Sequence, residues 1–336
     1  MPERTGKRTI RITGDVAVRS AAGIAGSKES QGPLGKYFDK TYSDDMLGQA
    51  SWEKAESRLQ TDAAQIAMNK AGLEPEKIDV IFAGDLLNQC ISSVFGLRSF
   101  NIPYLGQYGA CSTMAQTMIM SAIMCDSGAC HNAVAVTSSH FCSAERQFRF
   151  PIEYGGQRTL TAQWTVTGAG AAVIDNGNTG VKIKEVTVGK IIDMKVKDAN
   201  NMGAAMAPAA ADTIMSYLSD TGTKAGDYDL ILTGDLGFVG SELLIEILQK
   251  EGIDISSNHN DCGKLIFDRK KQDVHAGGSG CGCCGSVFCS YIYNEMRNGH
   301  LNNILFAATG ALMSPTSSQQ GESIPGISHL LHITSK

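Results

Sequence analysis

Charged residues are scarce in this chain of 336 residues, at 19% against a usual share of about 25%. Proline is also scarce, with 8 residues, whereas glycine is abundant, with 37. A disordered chain needs the opposite balance of high charge and low hydrophobicity, so the composition excludes disorder. The net charge of −5 argues against a nucleic-acid-binding protein, because such proteins usually carry a basic stripe.

The missing charges are concentrated in three stretches. Residues 99–144 contain one charged residue, Asp126, and residues 275–294 and 298–321 contain none. A globular protein leaves such stretches uncharged only by burying them, so we interpret all three as interior. None of them predicts a transmembrane helix, which needs about 20 consecutive, mostly apolar residues.

The start of the chain indicates a cellular compartment. It lacks the apolar segment of a signal peptide, which predicts synthesis and folding in the cytoplasm. We therefore expect the cysteines to be reduced thiols rather than a disulfide framework. The ten cysteines are Cys90, Cys111, Cys125, Cys130, Cys142, Cys262, Cys281, Cys283, Cys284 and Cys289.

An internal repeat organises the chain. The segment DVIFAGD at 79–85 resembles DLILTGD at 229–235, and each predicts a buried strand. After each come a Gly/Cys-rich turn, an uncharged helix and another apolar strand, in the same order. We expect two duplicated halves, residues 1–178 and residues 179–336.

Further elements extend the repeat. Long β-patterned runs open the halves at 9–18 and 181–192, and the spacing of apolar residues predicts a helix over 52–73. Residues 208–218 are the expected matching helix. Helices that alternate with apolar strands predict mostly parallel sheets covered on both faces, with one uncharged helix from each half buried between the two sheets.

Cys111 is the first candidate site residue. It lies in Gly-Ala-Cys-Ser-Thr at the predicted start of the first uncharged helix. The positive end of the helix dipole there would lower the pKa of the thiol and favour the nucleophilic thiolate. The alternative, a small apolar cysteine that fills a tight turn, stays open because Cys is often buried.

His275 is the second candidate, in the glycine-rich loop before the second uncharged helix. A Cys and a His at equivalent ends of two buried helices would meet across a pseudo-twofold axis; a loop histidine bonded to backbone is the alternative. Nearby, Cys281, Cys283 and Cys284 lack the second ligand pair of a zinc site, so packing of small residues is the better interpretation.

His140 follows a predicted buried strand, where α/β proteins place ligand contacts, and a capped turn is an equally good interpretation. Arg146, Arg149 and Arg158 flank the same region. They are candidates for bidentate binding of an anion, although exposed loop arginines are the ordinary case.

Together, these features resemble the thiolase and ketoacyl-synthase superfamily. Within it, three segments resemble the stage V sporulation protein AD family of endospore-forming bacteria: GACSTMAQ (109–116), TSSHFCSAERQFRFP (137–151) and TGDLG (233–237). The resemblance covers almost the whole chain. It implies a thiolase-like α/β fold whose two duplicated halves form a five-layer α/β/α/β/α sandwich.

The resemblance includes two departures from a condensing enzyme. Ketoacyl synthases carry a His just after the strand that matches Leu230–Thr233, where this chain has Gly234-Asp235. Thiolases carry a second Cys after the final strand, where this chain has Ala308-Thr-Gly-Ala311. Without these groups, general-base chemistry for Claisen condensation is incomplete.

The resemblance therefore implies a non-catalytic sporulation protein that binds dipicolinic acid (pyridine-2,6-dicarboxylic acid). Such a protein would support uptake of the acid, with calcium, into the developing spore, and would be linked to spore germination. An acyltransferase or thioesterase acting on acyl-CoA through Cys111 and His275 is the alternative. The expected ligand-binding residues are Cys111, Ser139, His140, His275, Gly278 and Gly310. Neither a cofactor nor a metal site is expected, apart from calcium that accompanies the ligand.

The partners that the resemblance implies are the other stage V sporulation A membrane proteins, at the inner membrane of the spore, and a second copy of the chain. Residues 99–108 are the expected part of the homodimer interface. No lipidation motif or polybasic run is present, so we expect membrane attachment through a protein partner.

Overall fold

The computed structural model describes residues 1–148, 157–177 and 179–335. The strands within these ranges are β1 (Glu3–Thr5), β2 (Thr9–Arg11), β3 (Val16–Ala25), β4 (Lys40–Thr41), β5 (Val80–Gly84), β6 (Tyr104–Gly106), β7 (Asn132–Ser139), β8 (Trp164–Thr165), β9 (Gly168–Asn176), β10 (Val181–Thr187), β11 (Leu230–Thr233), β12 (His259–Asp261), β13 (Gly278–Ser279), β14 (Asn303–Ala311) and β15 (Gly326–Thr334). The helices are α1 (Ser27–Ser30), α2 (Trp52–Ala71), α3 (Ile91–Leu97), α4 (Thr113–Asp126), α5 (Phe141–Phe148), α6 (Met202–Thr221), α7 (Gly237–Lys250), α8 (Cys262–Leu265), α9 (Cys281–Val287), α10 (Tyr293–Arg297) and α11 (Pro315–Gln319). A π-helical stretch, Phe288–Ile292, joins α9 to α10.

Ten of these strands form two five-stranded sheets of the same topology, in the orders β3-β9-β7-β5-β6 and β10-β15-β14-β11-β12. In the first sheet β7, β5 and β6 run parallel and β9 is antiparallel to both of its neighbours. The second sheet repeats the pattern with β14, β11 and β12 parallel and β15 antiparallel. The sheets are joined where β10 pairs with β3.

The internal repeat extends to individual hydrogen bonds. The Asp79 carboxylate accepts the backbone N–H groups of His131 and Asn132, where β7 begins. The Asp229 carboxylate likewise accepts those of Asn302 and Asn303, where β14 begins. Matching side chains at matching strand starts confirm that the halves are duplicates.

The hydrophobic core has three parts, which correspond to the spaces between five layers. One apolar cluster lies between α2 and the first sheet, and another lies between α6 and the second sheet. The third lies between the sheets and contains α4 and α9. The predicted five-layer sandwich, with one uncharged helix from each half in its centre, is confirmed.

Some predicted elements differ from those observed. The run 9–18 contains two strands rather than one, because the chain turns at Gly14, whose N–H is bound by the Asp126 carboxylate. The run 181–192 ends as a strand at Thr187. The helix predicted over 208–218 begins six residues earlier, at Met202, since the helix accommodates Pro208 beyond its first turn.

The interpretation of all uncharged stretches as interior is partly wrong. Leu105 is 50% exposed on the edge strand β6, and Tyr108 is also exposed. The short helix α11 lies at the surface without any buried residue. The predicted boundary between residues 178 and 179 stays a prediction, because residue 178 lies outside the described residues.

Close packing of α9 on β9 yields a prediction. A methyl group on Gly170 of β9 would lie 2.1 Å from the carbonyl oxygen of Gly285 in α9. We expect Gly170→Ala to lower the free energy of unfolding by about 1–3 kcal/mol, because neither backbone can move freely. Urea unfolding followed by circular dichroism measures the change. Gly226→Ala is the control, since nothing lies within 4 Å of its added methyl group; equal unfolding midpoints for the two variants would contradict the packing described here.

Candidate functional site

Cys111 lies in a tight turn that leads into α4. Ala110, just before it, has a φ of +49°, a conformation that is strained for a residue with a side chain. The Ser112 and Thr113 hydroxyls hold the turn by donating to the carbonyls of Gly109 and Ala110. Gly310 of β14 covers the turn so closely that a methyl group there would lie 2.5 Å from the Gly109 oxygen.

The partner of the Cys111 thiol is a buried carboxylate, Asp235, which follows β11. Thr309 Oγ1 donates to Asp235 Oδ1 at 2.8 Å. Ser279 Oγ and the Gly280 N–H donate to Oδ2 at 3.1 and 2.9 Å. The Cys111 thiol lies close enough to the same carboxylate for the charge to act on it. Three segments of the second half, which contain Asp235, Ser279 with Gly280, and Thr309, therefore meet beside the Cys111 turn of the first half.

Burial determines the protonation of this pair. It raises the pKa of the Cys111 thiol well above its ordinary value, and the adjacent Asp235 charge raises it further. Burial also raises the pKa of Asp235, although its hydrogen bonds oppose the rise. The expectation that the helix dipole lowers the Cys111 pKa is wrong, because desolvation and a neighbouring carboxylate outweigh it. The thiol is neutral at ordinary pH and is a poor nucleophile.

A narrow cleft opens beside Cys111. It holds about 440 Å³ of space outside protein atoms, but the centre of a water molecule fits in only about 40 Å³ of it, so it is a slot rather than a chamber. Its walls are largely apolar, with hydroxyl groups from the paired strands β8 and β13. The lining residues are Leu86, Tyr108, Ala110, Cys111, Ala144, Glu145, Phe148, Thr165, Met202, Ser279, Ala311 and Met313.

The structure does not bring His275 to Cys111. The His275 ring lies 2.7 Å from the Thr159 carbonyl through Nδ1 and 2.9 Å from the Asp273 carboxylate through Nε2. It has a φ of +50° and does not line the cleft. The prediction that it meets Cys111 is wrong, because the loop before α9 directs the ring to Thr159 and Asp273 instead.

Ser139 and His140, at the end of β7, are buried and fully engaged elsewhere. Ser139 Oγ donates to the Val166 carbonyl and accepts the Gly282 N–H. The two ring nitrogens of His140 contact the Asp45 carbonyl and the Cys142 N–H, and burial lowers its ring pKa. Neither residue lines the cleft; a binding role for them stays a prediction.

The remaining candidates also have structural contacts. The Gly278 carbonyl accepts a hydrogen bond from Gln163. Arg146 pairs with Glu53 and Arg158 with Asp273, while Arg149 lies outside the described residues.

The cysteines that follow Ser279 pack in the interior. The Cys281 thiol donates to the Ser138 carbonyl at 2.9 Å, and the Cys284 thiol donates to the Cys111 carbonyl at 3.3 Å. Among the described residues, no three His, Cys, Asp or Glu side chains are grouped as metal ligands. Small thiols here fill space between α9, β7 and the Cys111 turn.

Sequence reasoning did not identify Asp235, Ser279 or Thr309 as contacts of the site. It did mark the segments that contain Asp235 and Thr309, because each departs from a condensing-enzyme pattern. These three residues come together beside Cys111 because of the way the two halves pack, which the sequence does not reveal. The one sequence signal for Asp235 is the Gly-Asp ending that the two repeated strands share.

The comparisons with known proteins agree with one another. The family model for stage V sporulation protein AD matches residues 6–334. Stage V sporulation protein AD of Bacillus subtilis (strain 168) is 48% identical over 325 residues, which cover 97% of this chain and 96% of that protein.

Solved structures of similar fold have much lower identity. The 3-oxoacyl-[acyl-carrier-protein] synthase III of Aquifex aeolicus VF5 matches with a TM-score of 0.57 at 13% identity, covering 94% of this chain and 99% of its own. A Xanthomonas campestris OleA structure with bound lauric acid and lauroyl-CoA matches with a TM-score of 0.60 at 13% identity, covering 95% and 99%. At this identity the likeness shows the thiolase-like fold alone.

The thiol–carboxylate pair yields a second prediction. Asp235→Asn removes the charge that raises the Cys111 pKa, so the pH profile of Cys111 alkylation by iodoacetamide should move to lower pH. Rates at Cys111 are followed by peptide mass spectrometry from pH 6 to 10. Asp85→Asn is the matched control, because Asp85 is a buried carboxylate whose hydrogen bonds go to Ser93 and Leu87. An unchanged profile in Asp235→Asn would show that its charge does not act on the thiol.

Proposed function

The chain belongs to the stage V sporulation protein AD family, and from this premise we propose that it is a non-catalytic sporulation protein that binds dipicolinic acid. In this proposal it supports uptake of the acid, with calcium, into the developing spore. It works there with the other stage V sporulation A membrane proteins, at the spore inner membrane, and the stored acid links it to germination.

The observation that carries the non-catalytic part is the buried charge of Asp235 beside the Cys111 thiol. A condensing enzyme needs a base that activates its thiol or deprotonates its substrate. The group beside this thiol is a carboxylate that raises its pKa. The acyltransferase alternative assigned the base to His275, which is bonded to Thr159 and Asp273 instead.

The shape of the cleft supports a flat, aromatic ligand. The slot is too narrow for a bulky group, and Tyr108 and Phe148 supply aromatic walls on which a pyridine ring can stack. Thr165 of β8 supplies a hydroxyl donor for a carboxylate oxygen. A ring with carboxylates therefore finds apolar and polar contacts in the same cleft.

The charge of the lining supports calcium as a companion of the ligand. None of the described lining residues is cationic, so none of them supplies a charge opposite to that of a dianion. Burying carboxylates without a compensating charge is costly. Calcium bound by the two carboxylates makes the ligand neutral, and oxygen atoms are the donors that calcium prefers.

This proposal predicts calcium-dependent binding. Calorimetric titration of the whole protein with dipicolinate should give at least tenfold tighter binding with calcium than with a chelator, which corresponds to about 1.4 kcal/mol. Thr165→Val removes one hydroxyl donor without changing the side-chain shape and should weaken binding about tenfold, as expected for a hydrogen bond to a charged group.

The matched control is Thr316→Val, on the exposed helix α11, which should bind as the unaltered protein does. Absence of heat at millimolar dipicolinate, with and without calcium, would contradict the proposal. A covalent acyl group on Cys111 after incubation with acyl-CoA, found by mass spectrometry, would support the acyltransferase alternative.

We also propose that the chain forms a homodimer through β6. This strand is the last of its sheet, and an unprotected edge strand pairs readily with another chain. Leu105 of β6 and Tyr108 are exposed, as are Ile91, Val94 and Phe95 of α3. Exposed apolar side chains concentrated in residues 91–108 favour a protein–protein interface in this part of the molecule.

Sedimentation velocity tests the dimer at micromolar concentration. Leu105→Asp places a charge on the edge strand and should convert the dimer to a monomer, because an unpaired charge would be buried in the interface. Leu160→Asp, at a leucine that is 81% exposed elsewhere on the surface, should leave the dimer intact. A monomeric unaltered protein, or equal effects of the two substitutions, would contradict the proposed interface.

A further inference from the structure

A second group of exposed apolar side chains lies far along the chain from β6. Val188, Ile191 and Met194 fall within seven residues of one loop, and Ile191 and Met194 are 64% and 63% exposed. An exposed apolar group of this density marks an interaction site. The loop also carries exposed lysines, Lys190, Lys195 and Lys197.

Next to this loop lies the N-terminal hairpin formed by β1 and β2. β2 pairs with β10, and the Val188 N–H donates to the Arg8 carbonyl. We call the hairpin, residues 3–11, and the loop, residues 188–197, the basic face. An open surface groove at the hairpin is lined by Pro2, Arg4, Lys7, Arg8, Ile10 and Val188.

The basic face differs in charge from the rest of the molecule. Residues 3–11 contain four cationic side chains and one acidic, and residues 188–197 contain three and one. The two segments are therefore +3 and +2 in a chain whose net charge is −5. Asp212 and Asp220 of α6 lie beneath the face, and counting both still leaves it +3.

These two aspartates fix the basic face to α6. Asp212 pairs with both Arg8 and Lys190. Asp220 accepts the backbone N–H groups of Lys7, Arg8 and Thr9, where the hairpin turns. The cationic residues are thus held on a defined surface rather than on a loose tail.

We propose that the basic face docks the protein on a lipid bilayer that contains anionic phospholipids. Lysine and arginine side chains at a membrane surface each contribute about 1 kcal/mol of attraction to anionic lipid. Exposed Ile191 and Met194 would enter the boundary between headgroups and acyl chains, while the basic groove offers a place for a phosphate. No helix within the described residues is both long and apolar enough to cross a bilayer, and the proposed contact needs none.

The expectation of attachment through a protein partner rested on the absence of a polybasic run. The two segments of the basic face are separated by more than 170 residues and become one surface only through the pairing of β2 with β10. A surface assembled in this way has no signature in a window of consecutive residues.

Vesicle flotation with the full chain tests the proposal. Vesicles of phosphatidylcholine with 30 mol% phosphatidylglycerol should carry the protein at about 50 mM salt, whereas pure phosphatidylcholine should not, and added salt should release it. Lys7→Glu with Lys197→Glu should lower the bound fraction at least tenfold, since two attractions become repulsions. Ile191→Ser with Met194→Ser should weaken binding at every salt concentration.

The controls separate the face from general charge and hydrophobicity. Lys270→Glu with Lys271→Glu makes the same change of net charge in an exposed loop elsewhere, and Leu160→Ser removes an exposed apolar side chain elsewhere; both should bind as the unaltered protein does. The proposal would be overturned if a control variant lost as much vesicle binding as the basic-face variants, or if neutral vesicles bound the protein equally well. Binding to polyglutamate without binding to either kind of vesicle would also overturn it. The same variants can be titrated with dipicolinate, and that measurement tests the proposed function separately from the proposed membrane contact.

Discussion

The site depends on one buried interaction, the carboxylate of Asp235 and the three groups that donate to it. An isolated buried carboxylate is far too costly to retain, so each donor must be present for the fold to tolerate it. Ser279 and Gly280 come from one segment of the second half and Thr309 from another. The charge they hold acts on Cys111 of the first half, so the two halves meet at this carboxylate.

Close backbone contacts make that arrangement possible. Gly310 brings β14 against the Cys111 turn, and Gly170 brings β9 against Gly285 of α9, at separations that leave no room for a methyl group. The abundance of glycine in the composition thus has a structural role at the surfaces where the halves pack. The same packing leaves only a slot beside Cys111, so the shape of the site follows from the closeness of the halves.

Much of the fold can be predicted from the sequence, because burial on both faces produces apolar strands and duplication repeats them. The seven-residue segments ending at Asp85 and Asp235 are alike for this reason. The site is less predictable. His275 occupies a motif position that suggested catalysis, but its left-handed backbone turns it away from Cys111. The pKa of Cys111 was expected to fall, because a carboxylate 124 residues further along the chain was not foreseen as its neighbour. Scarcity of charge likewise does not distinguish a buried core from an exposed surface, as Leu105 shows.

Helix α6 contacts both the cleft and the basic face. Its first residue, Met202, lines the cleft, and Asp212 holds Arg8 and Lys190 of the basic face. Ten residues of α-helix separate these positions, or about 15 Å at 1.5 Å per residue. The helix packs on β14 and β15 along its length, so it moves with the second sheet rather than alone. The cleft at one end of this rigid helix and the basic face further along it therefore have a fixed separation. A molecule bound to a bilayer by its basic face would hold the cleft at a constant distance from the bilayer.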